Sequence, residues 1–286
     1  MQVHRVTSFD RAELAPYATL RQHEEHRQAG IFVAEGAKVV RRLLQSDFGV
    51  VNVLLPEKWL AEFEPLIRAR HEDVPVYIME IAELEKLTGF PFFQGVLAVG
   101  KIPRAHTLDS ILADTPRPHF FVAGDGLANA ENVGLIVRNC AAFGVQALIV
   151  GETSSSPFLR RAVRNSMGAI FKLPIVETPS LLNTLGVLRE RKVRIIAAHP
   201  HGEHRLIQDT NFAADCCIVF GSEGVGLSNE VLAVCDEAVA IPMSNEVDSL
   251  NVGSAAAVFL YEAARQRNFS TERRTRSDAP YPPGAR

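Results

Sequence analysis

One pattern constrains this chain more than any other. A short run of apolar, largely β-branched or aromatic residues ends in a glycine turn, and residues with helical periodicity follow. After Pro118 the pattern appears as HFFVAGDG then ENVGLIVRNCAAFGV, as QALIVGE then SPFLRRAVRNSMG, and as DCCIVFGSEGVGLS then NEVLAVCD. FKLPIV is a further extended run, and VRIIAAHP a strand that follows the helix SLLNTLGVLRERK. EAVAIPM is a short strand before the final helix, SLNVGSAAAVFLYEAARQRN. Such alternation calls for a parallel or mixed sheet with helices on its faces, an α/β fold.

The first third alternates in the same way. IFVAEG leads into AKVVRRLLQS, where Val39, Val40, Leu43 and Leu44 fall at helical spacing. VVNVLLP, WLAEFEPLIRARH, VPVYIM, AELEKLTG closed by Gly89, and QGVLAVGKIP continue it as a smaller α/β unit. KIPRAHTLDSILADTPRP, residues 101–118, carries Pro103, Pro116 and Pro118 and little long-range pattern. These shifts divide the chain into a domain at 1–104, a linker at 105–117, a second domain at 118–268 and a tail at 269–286. The tail is polar, proline-bearing and arginine-rich, which predicts disorder.

The chain has 286 residues, 47% of them hydrophobic and 22% charged, the balance of a soluble globular protein. No apolar run approaches the roughly 20 residues that span a bilayer, and MQVHRVTSFDRAE lacks a signal-peptide core. Cys140, Cys216, Cys217 and Cys235 show no C-x-x-C spacing, so buried reduced thiols and a cytoplasmic location are expected. Net charge is −3, so any RNA partner must be held by local basic patches.

Three segments of the second domain hold residues that a packed core does not need. In NVGLIVRNCAAFG, Val133, Val137, Cys140, Ala141 and Gly144 share one helical face. Arg138 lies on another, flanked by Gly134 and Ala142, which leaves room for a ligand or a second chain; alone, a solvated arginine fits as well. In VFGSEGVGLSNE, Gly221, Gly224 and Gly226 separate a strand from a helix with Ser228 as N-cap. Glycines there let backbone approach a ligand, although tight turns also want them. A dinucleotide site competes at this point. The glycine order is not G-x-G-x-x-G, and Asp248, at about the right distance, does not end a second strand. In IPMSNEVDSLNVGSAAA, Ile241, Pro242 and Met243 leave a strand, and Ser249 and Asn251 open the last helix, where capping alone explains them singly. The small residues from Gly253 to Ala257 permit close helix packing, within the fold or between subunits.

In combination, N-V-G-L-I-V-R-N, F-G-S-E-G-V-G-L-S, I-P-M and S-L-N-V-G-S-A-A-A resemble the SpoU/TrmH family of RNA ribose methyltransferases over residues 118–265. RNSMG, Arg164 to Gly168, looks like the family's R-x-S-x-G segment. FVAEG and QGVLAV are similar to a ribosomal-protein-like substrate-binding domain that often precedes the catalytic one. The resemblance implies a SPOUT domain in which the C-terminal segment threads a loop to make a trefoil knot, and a homodimer with the active site near the subunit interface. It implies S-adenosylmethionine bent in the knot against Gly221, Gly224, Gly226, Ile241, Met243 and Leu250. It also implies a catalytic set of Arg138, Asn132, Glu223, Ser249 and Asn251, with no metal. Arg160, Arg161, Arg164 and Ser166, with Lys172 beyond them, are the expected RNA contacts.

HPHGEH, with His199, His201 and His204, is expected to be a surface loop and not a metal site, and Ser154, Ser155 and Ser156 a loop without a nucleophile. The function expected is methyl transfer to a ribose 2′-hydroxyl, with ribosomal RNA favoured by the separate N-terminal domain. The alternatives are a tRNA target, a base nitrogen as acceptor, a non-catalytic RNA-binding or ribosome-assembly factor and, most distantly, a nicotinamide oxidoreductase.

Overall fold

Two sheets take up the strand runs. The computed structural model describes residues 1–20, 23–88, 95–200, 205–244 and 248–267. Gly89, His201, His204 and the tail lie outside the described residues.

The first part contains β1 (Val3–Arg5), α1 (Ala15–Ala18), α2 (His23–Gln28), β2 (Ile31–Glu35), α3 (Ala37–Leu44), β3 (Val50–Leu55), α4 (Leu60–Arg68), β4 (Val76–Ile78), α5 (Ile81–Thr88) and β5 (Leu97–Lys101). Its sheet runs β1-β4-β3-β5-β2, with β5 antiparallel to both neighbours and the other pairings parallel.

The second part begins with α6 (Leu108–Asp114), then β6 (Phe120–Gly124), α7 (Ala130–Ala142), β7 (Ala147–Val150), α8 (Arg160–Asn165), β8 (Ile175–Glu177) and α9 (Leu181–Glu190). It continues with β9 (Arg194–Ala198), β10 (Cys216–Phe220), α10 (Asn229–Val234), β11 (Glu237–Val239) and α11 (Val252–Gln266). Its six strands are all parallel, in the order β11-β9-β10-β6-β7-β8. Every residue of β6, β7 and β10 is buried, which is why these strands read as unbroken apolar runs and not as alternation.

The stretch expected to be a linker is not plain connector. Thr107 and Ser110 form a reciprocal cap at the start of α6, and Ile111 is buried against the second sheet with Leu108 and Leu112 beside it. Prolines on both sides masked this seven-residue helix, although Leu108, Ile111 and Leu112 have helical spacing.

One apolar core runs through both sheets. It includes Val53 and Phe63 from the first part and Phe120, Ile218 and Phe220 from the second. The seam is aromatic: Phe32 lies 5.8 Å from both Phe158 and Phe171, and Phe48 contacts the same two rings. Cys140, Cys216 and Cys217 are buried free thiols and Cys235 is half-buried. Among the described residues no helix is long and apolar enough to cross a membrane.

Candidate active site

The site is assembled at the carboxyl ends of β6 and β10, where three chain segments meet. Asp125 follows β6, and its carboxylate accepts hydrogen bonds from both the backbone N–H and the hydroxyl of Ser228, each at 2.8 Å. Ser228 also caps α10 by accepting from the Val231 N–H. The glycine-rich segment between β10 and α10 is thereby tied to the turn that leads into α7.

That segment is a tight hairpin. Ser222 and Gly226 exchange backbone hydrogen bonds of 2.9 and 3.0 Å, with Glu223, Gly224 and Val225 at the tip. Gly221 is required by a close approach, since a Cβ there would stand 2.2 Å from the Gly226 carbonyl carbon. Gly226 is required by conformation, with φ +77°. Gly224 has open space around it, with no atom within 4 Å of a Cβ position.

The hairpin presents Glu223 to two asparagines. Oε1 of Glu223 accepts from Nδ2 of Asn132, in the first turn of α7, and from Nδ2 of Asn251 at 2.7 Å. Asn251 also donates to Oδ1 of Asn132 at 3.1 Å. Its own Oδ1 caps α11 by accepting from the Gly253 and Ser254 N–H groups. Three residues widely spaced in sequence therefore form one closed polar cluster, and Asn132 is buried within it. Its bonds leave Asn251 little freedom, so the start of α11 is fixed against α7.

Asn139 extends the same clamp and was not singled out from the sequence. Its Nδ2 donates to the Gly253 carbonyl at 2.8 Å. The available signal was spacing: Asn139 lies seven residues after Asn132, on the same face of one helix. Asp125 was also missed, hidden in a G-D-G turn that reads as ordinary loop.

Arg138 stands apart. It is exposed, and among the described residues its side chain makes neither a hydrogen bond nor an ion pair. Leu135 and Ala142 are exposed beside it on the outer face of α7, whereas Gly134, one turn before it, is buried. A Cβ on Gly134 would lie 2.4 Å from the Ala162 carbonyl oxygen, so the space there is filled by α8 and not by a ligand or a second chain. Ala141 and Gly144, expected to share a face with Val133, Val137 and Cys140, are exposed, whereas those three are buried. Leu135, Val258 and Tyr261 are large apolar side chains left exposed on α7 and α11, and Phe143 meets Tyr261 edge to face.

The residues expected around the cofactor lie on three stretches: Gly221, Gly224 and Gly226 in the hairpin, Ile241 and Met243 after β11, and Leu250 before α11, next to the catalytic candidate Ser249. The Asn251–Glu223 bond draws the last stretch against the first. Leu250 and Ser249 are exposed, while Ile241 is half-buried against the core.

The expected RNA contacts divide. Arg161 and Lys172 are exposed. Arg160 and Arg164 instead bind the buried carboxylate of Glu35 at the end of β2, and Arg160 is only 16% exposed. Ser166 is fully buried, donating to the Val163 carbonyl and accepting from the Gly168 N–H. Arg160 and Ser166 thus have tasks inside the protein, and a phosphate could claim Arg164 only in competition with Glu35.

The fold and this cluster define a class: a parallel sheet covered on both faces, whose loops gather a glycine hairpin and an amide–carboxylate cluster, with an exposed arginine on the helix that carries Asn132. The model of the SpoU rRNA Methylase family matches residues 119–261. An uncharacterized tRNA/rRNA methyltransferase of Mycobacterium ulcerans is 35% identical over 207 residues, covering 71% of this chain and 66%, about two thirds, of that relative's length. The crystal structure of the SpoU methyltransferase AviRb from Streptomyces viridochromogenes, in complex with the cofactor AdoMet, has a TM-score of 0.77 at 27% identity over 90% of this chain and 99% of that one. That of an RNA 2′-O ribose methyltransferase has a TM-score of 0.76 at 28% identity over 92% and 99%. The chain belongs to the SpoU methylase family.

Proposed function

We propose that this protein transfers a methyl group from S-adenosylmethionine to a ribose 2′-hydroxyl of a structured RNA, with ribosomal RNA as the target. The observation that carries the reading is Arg138, exposed and, among the described residues, unpaired on the helix whose first turn locks Asn132 to Glu223 and Asn251. An arginine kept clear of protein carboxylates is free to hold an RNA phosphate and the charge that develops on a ribose oxygen.

S-adenosylmethionine supplies a methyl group already activated on a sulfonium. The residues of this chain that fit it are the backbone of Gly221, Gly224 and Gly226, the stretch from Ile241 to Met243, and Leu250. Open space at Gly224 and exposed apolar surface at Leu250 suit a purine nucleoside packed against a glycine turn. The work left to the protein is alignment, which can lower a two-reactant barrier by about 7–11 kcal/mol. A guanidinium is a poor proton acceptor, so in this reading Arg138 clamps the oxyanion and the base lies elsewhere. The hydroxyl proton leaves to RNA phosphate or water. Asn132 positions the ribose or Arg138; Glu223, Ser249 and Asn251 order the pocket.

Residues 1–104 serve as the RNA-binding domain, and Arg161 adds phosphate contacts beside the site. The exposed stripe of Leu135, Val258 and Tyr261 supports a homodimer in which Arg138 lies near the subunit boundary. The knotted C-terminal path belongs to the same reading.

The test is methyl transfer from radiolabelled S-adenosylmethionine to unmodified total RNA separated by size, with Arg138→Ala in parallel. Label is expected in one ribosomal RNA band, resistant to alkaline hydrolysis and absent with the variant. Label in a tRNA band would overturn the target, and label on a base would overturn the ribose assignment. No label with the unaltered protein would overturn the activity.

A further inference from the structure

Glu35 ends β2 in the first domain and is 4% exposed. A carboxylate this far from water is costly unless both oxygens are paired. Here Oε2 accepts from Arg160 and Oε1 accepts from Arg164 at 2.7 Å, so the charge is met twice by the same helix, α8. A second brace acts at the other end of that helix. Arg42 of α3 donates to the Met167 carbonyl, just beyond α8. Its Cβ also lies 2.9 Å from where a Gly168 Cβ would stand, with Gly168 at φ +80°.

The first domain therefore grips α8 at both ends, and α8 in turn rests on α7 without slack. At Gly134 the two helices are so close that an added Cβ would also come within 2.8 Å of the Asn165 Cβ. Gly134 is two residues after Asn132 and one helical turn before Arg138. A shift of α8 toward α7 meets the Gly134 backbone at once, so it displaces the helix that carries both groups.

We infer that Glu35 is a positioning residue for methyl transfer, setting Asn132 and Arg138 through α8 although it belongs to the other domain. The kinetic part of this inference rests on the RNA methyltransferase reading. The RNA-binding domain is then a brace for the active site, not a module on a swinging tether.

Glu35→Gln preserves shape and removes the charge. Hydrogen–deuterium exchange on the full chain is expected to quicken over residues 130–142 and 160–165, with 181–190 unchanged. The kcat for RNA methylation is expected to fall tenfold or more, the scale of effect for a small misplacement of reacting groups. The KM for RNA and the calorimetric Kd for S-adenosylmethionine should stay within about twofold. Glu57→Gln, which breaks an exposed pair with Arg5, should change none of these. Unaltered exchange over 130–142, or an unaltered kcat, would overturn the inference, as would a loss confined to the KM for RNA. If Glu35→Gln does not fold, Arg164→Gln removes one of the two bonds at a half-exposed residue, with smaller changes expected in the same directions. Should the unaltered protein methylate no RNA, the functional reading falls, and the exchange result still decides whether Glu35 controls α7.

Discussion

Arg138 and Asn132 share one helix, yet they meet opposite physical demands. Asn132 is 5% exposed and spends both ends of its amide on protein partners, whereas Arg138 is exposed and, among the described residues, has no hydrogen-bond or ion-pair partner. Replacing Asn132 by alanine leaves Glu223 and Asn251 each short of a partner. A loss of about 1–3 kcal/mol in unfolding free energy is expected, read from urea denaturation. Arg138→Ala should leave stability within about 0.5 kcal/mol, because the side chain is exposed and makes no hydrogen bond or ion pair among the described residues. It should still lower RNA methylation by two orders of magnitude or more, the size of effect seen when a charge-stabilising donor is removed. An Arg138→Ala protein that unfolds much more easily than its parent would show that the side chain has a structural partner after all.

At the scale of elements, the contact between α7 and α8 is set by one missing side chain. Gly134→Ala must push back the Ala162 carbonyl, which belongs to a helix already held by Glu35. Overpacking of this kind costs about 1–3 kcal/mol. Gly186, inside α9, makes the opposite case: nothing lies within 4 Å of a Cβ there, and its φ is not positive. Gly186→Ala should stabilise the protein by about 0.5–1 kcal/mol through helix propensity and a less flexible unfolded chain. Thermal melts of the two variants should move in opposite directions from the parent. The strands and most helices were legible because burial and helical pitch write themselves into local periodicity. The hairpin from Ser222 to Gly226 was legible because only glycine tolerates its close approach and positive φ. What periodicity cannot carry is a partner far away in the chain. Glu35 read as the end of an apolar run, and its arginines lie 125 and 129 residues further on, where they read as a basic surface facing RNA. Asn132, Glu223 and Asn251 came together only through a resemblance of motifs, since nothing in their spacing says that they touch.

For the whole molecule, the question is whether two sheets make two folding units. Composition shifts around residues 101–118 suggest a division, but the core does not respect it. Phe32, 1% exposed, packs on Phe158 and Phe171 across the seam, and Glu35 closes its rim with two ion pairs. Breaking that seam would expose aromatic surface on both sides and strand a carboxylate and two arginines, so partial unfolding should be unfavourable for either half. The chain carries its own probes. Its only tryptophan, Trp59, packs on Phe63 in the first part. Cys217 lies fully buried in β10 of the second, where burial pushes its thiol well above the usual range and keeps it from forming the reactive thiolate. In a guanidinium titration, Trp59 fluorescence and pulse labelling of Cys217 should give coincident midpoints, as for one cooperative transition. Phe32→Ala removes a ring from the seam at a cost of about 3–5 kcal/mol and should lower both midpoints by the same amount. If tryptophan fluorescence changes at lower denaturant while Cys217 stays protected, the first domain unfolds alone, and the seam is too weak to transmit a change at Glu35 to α7.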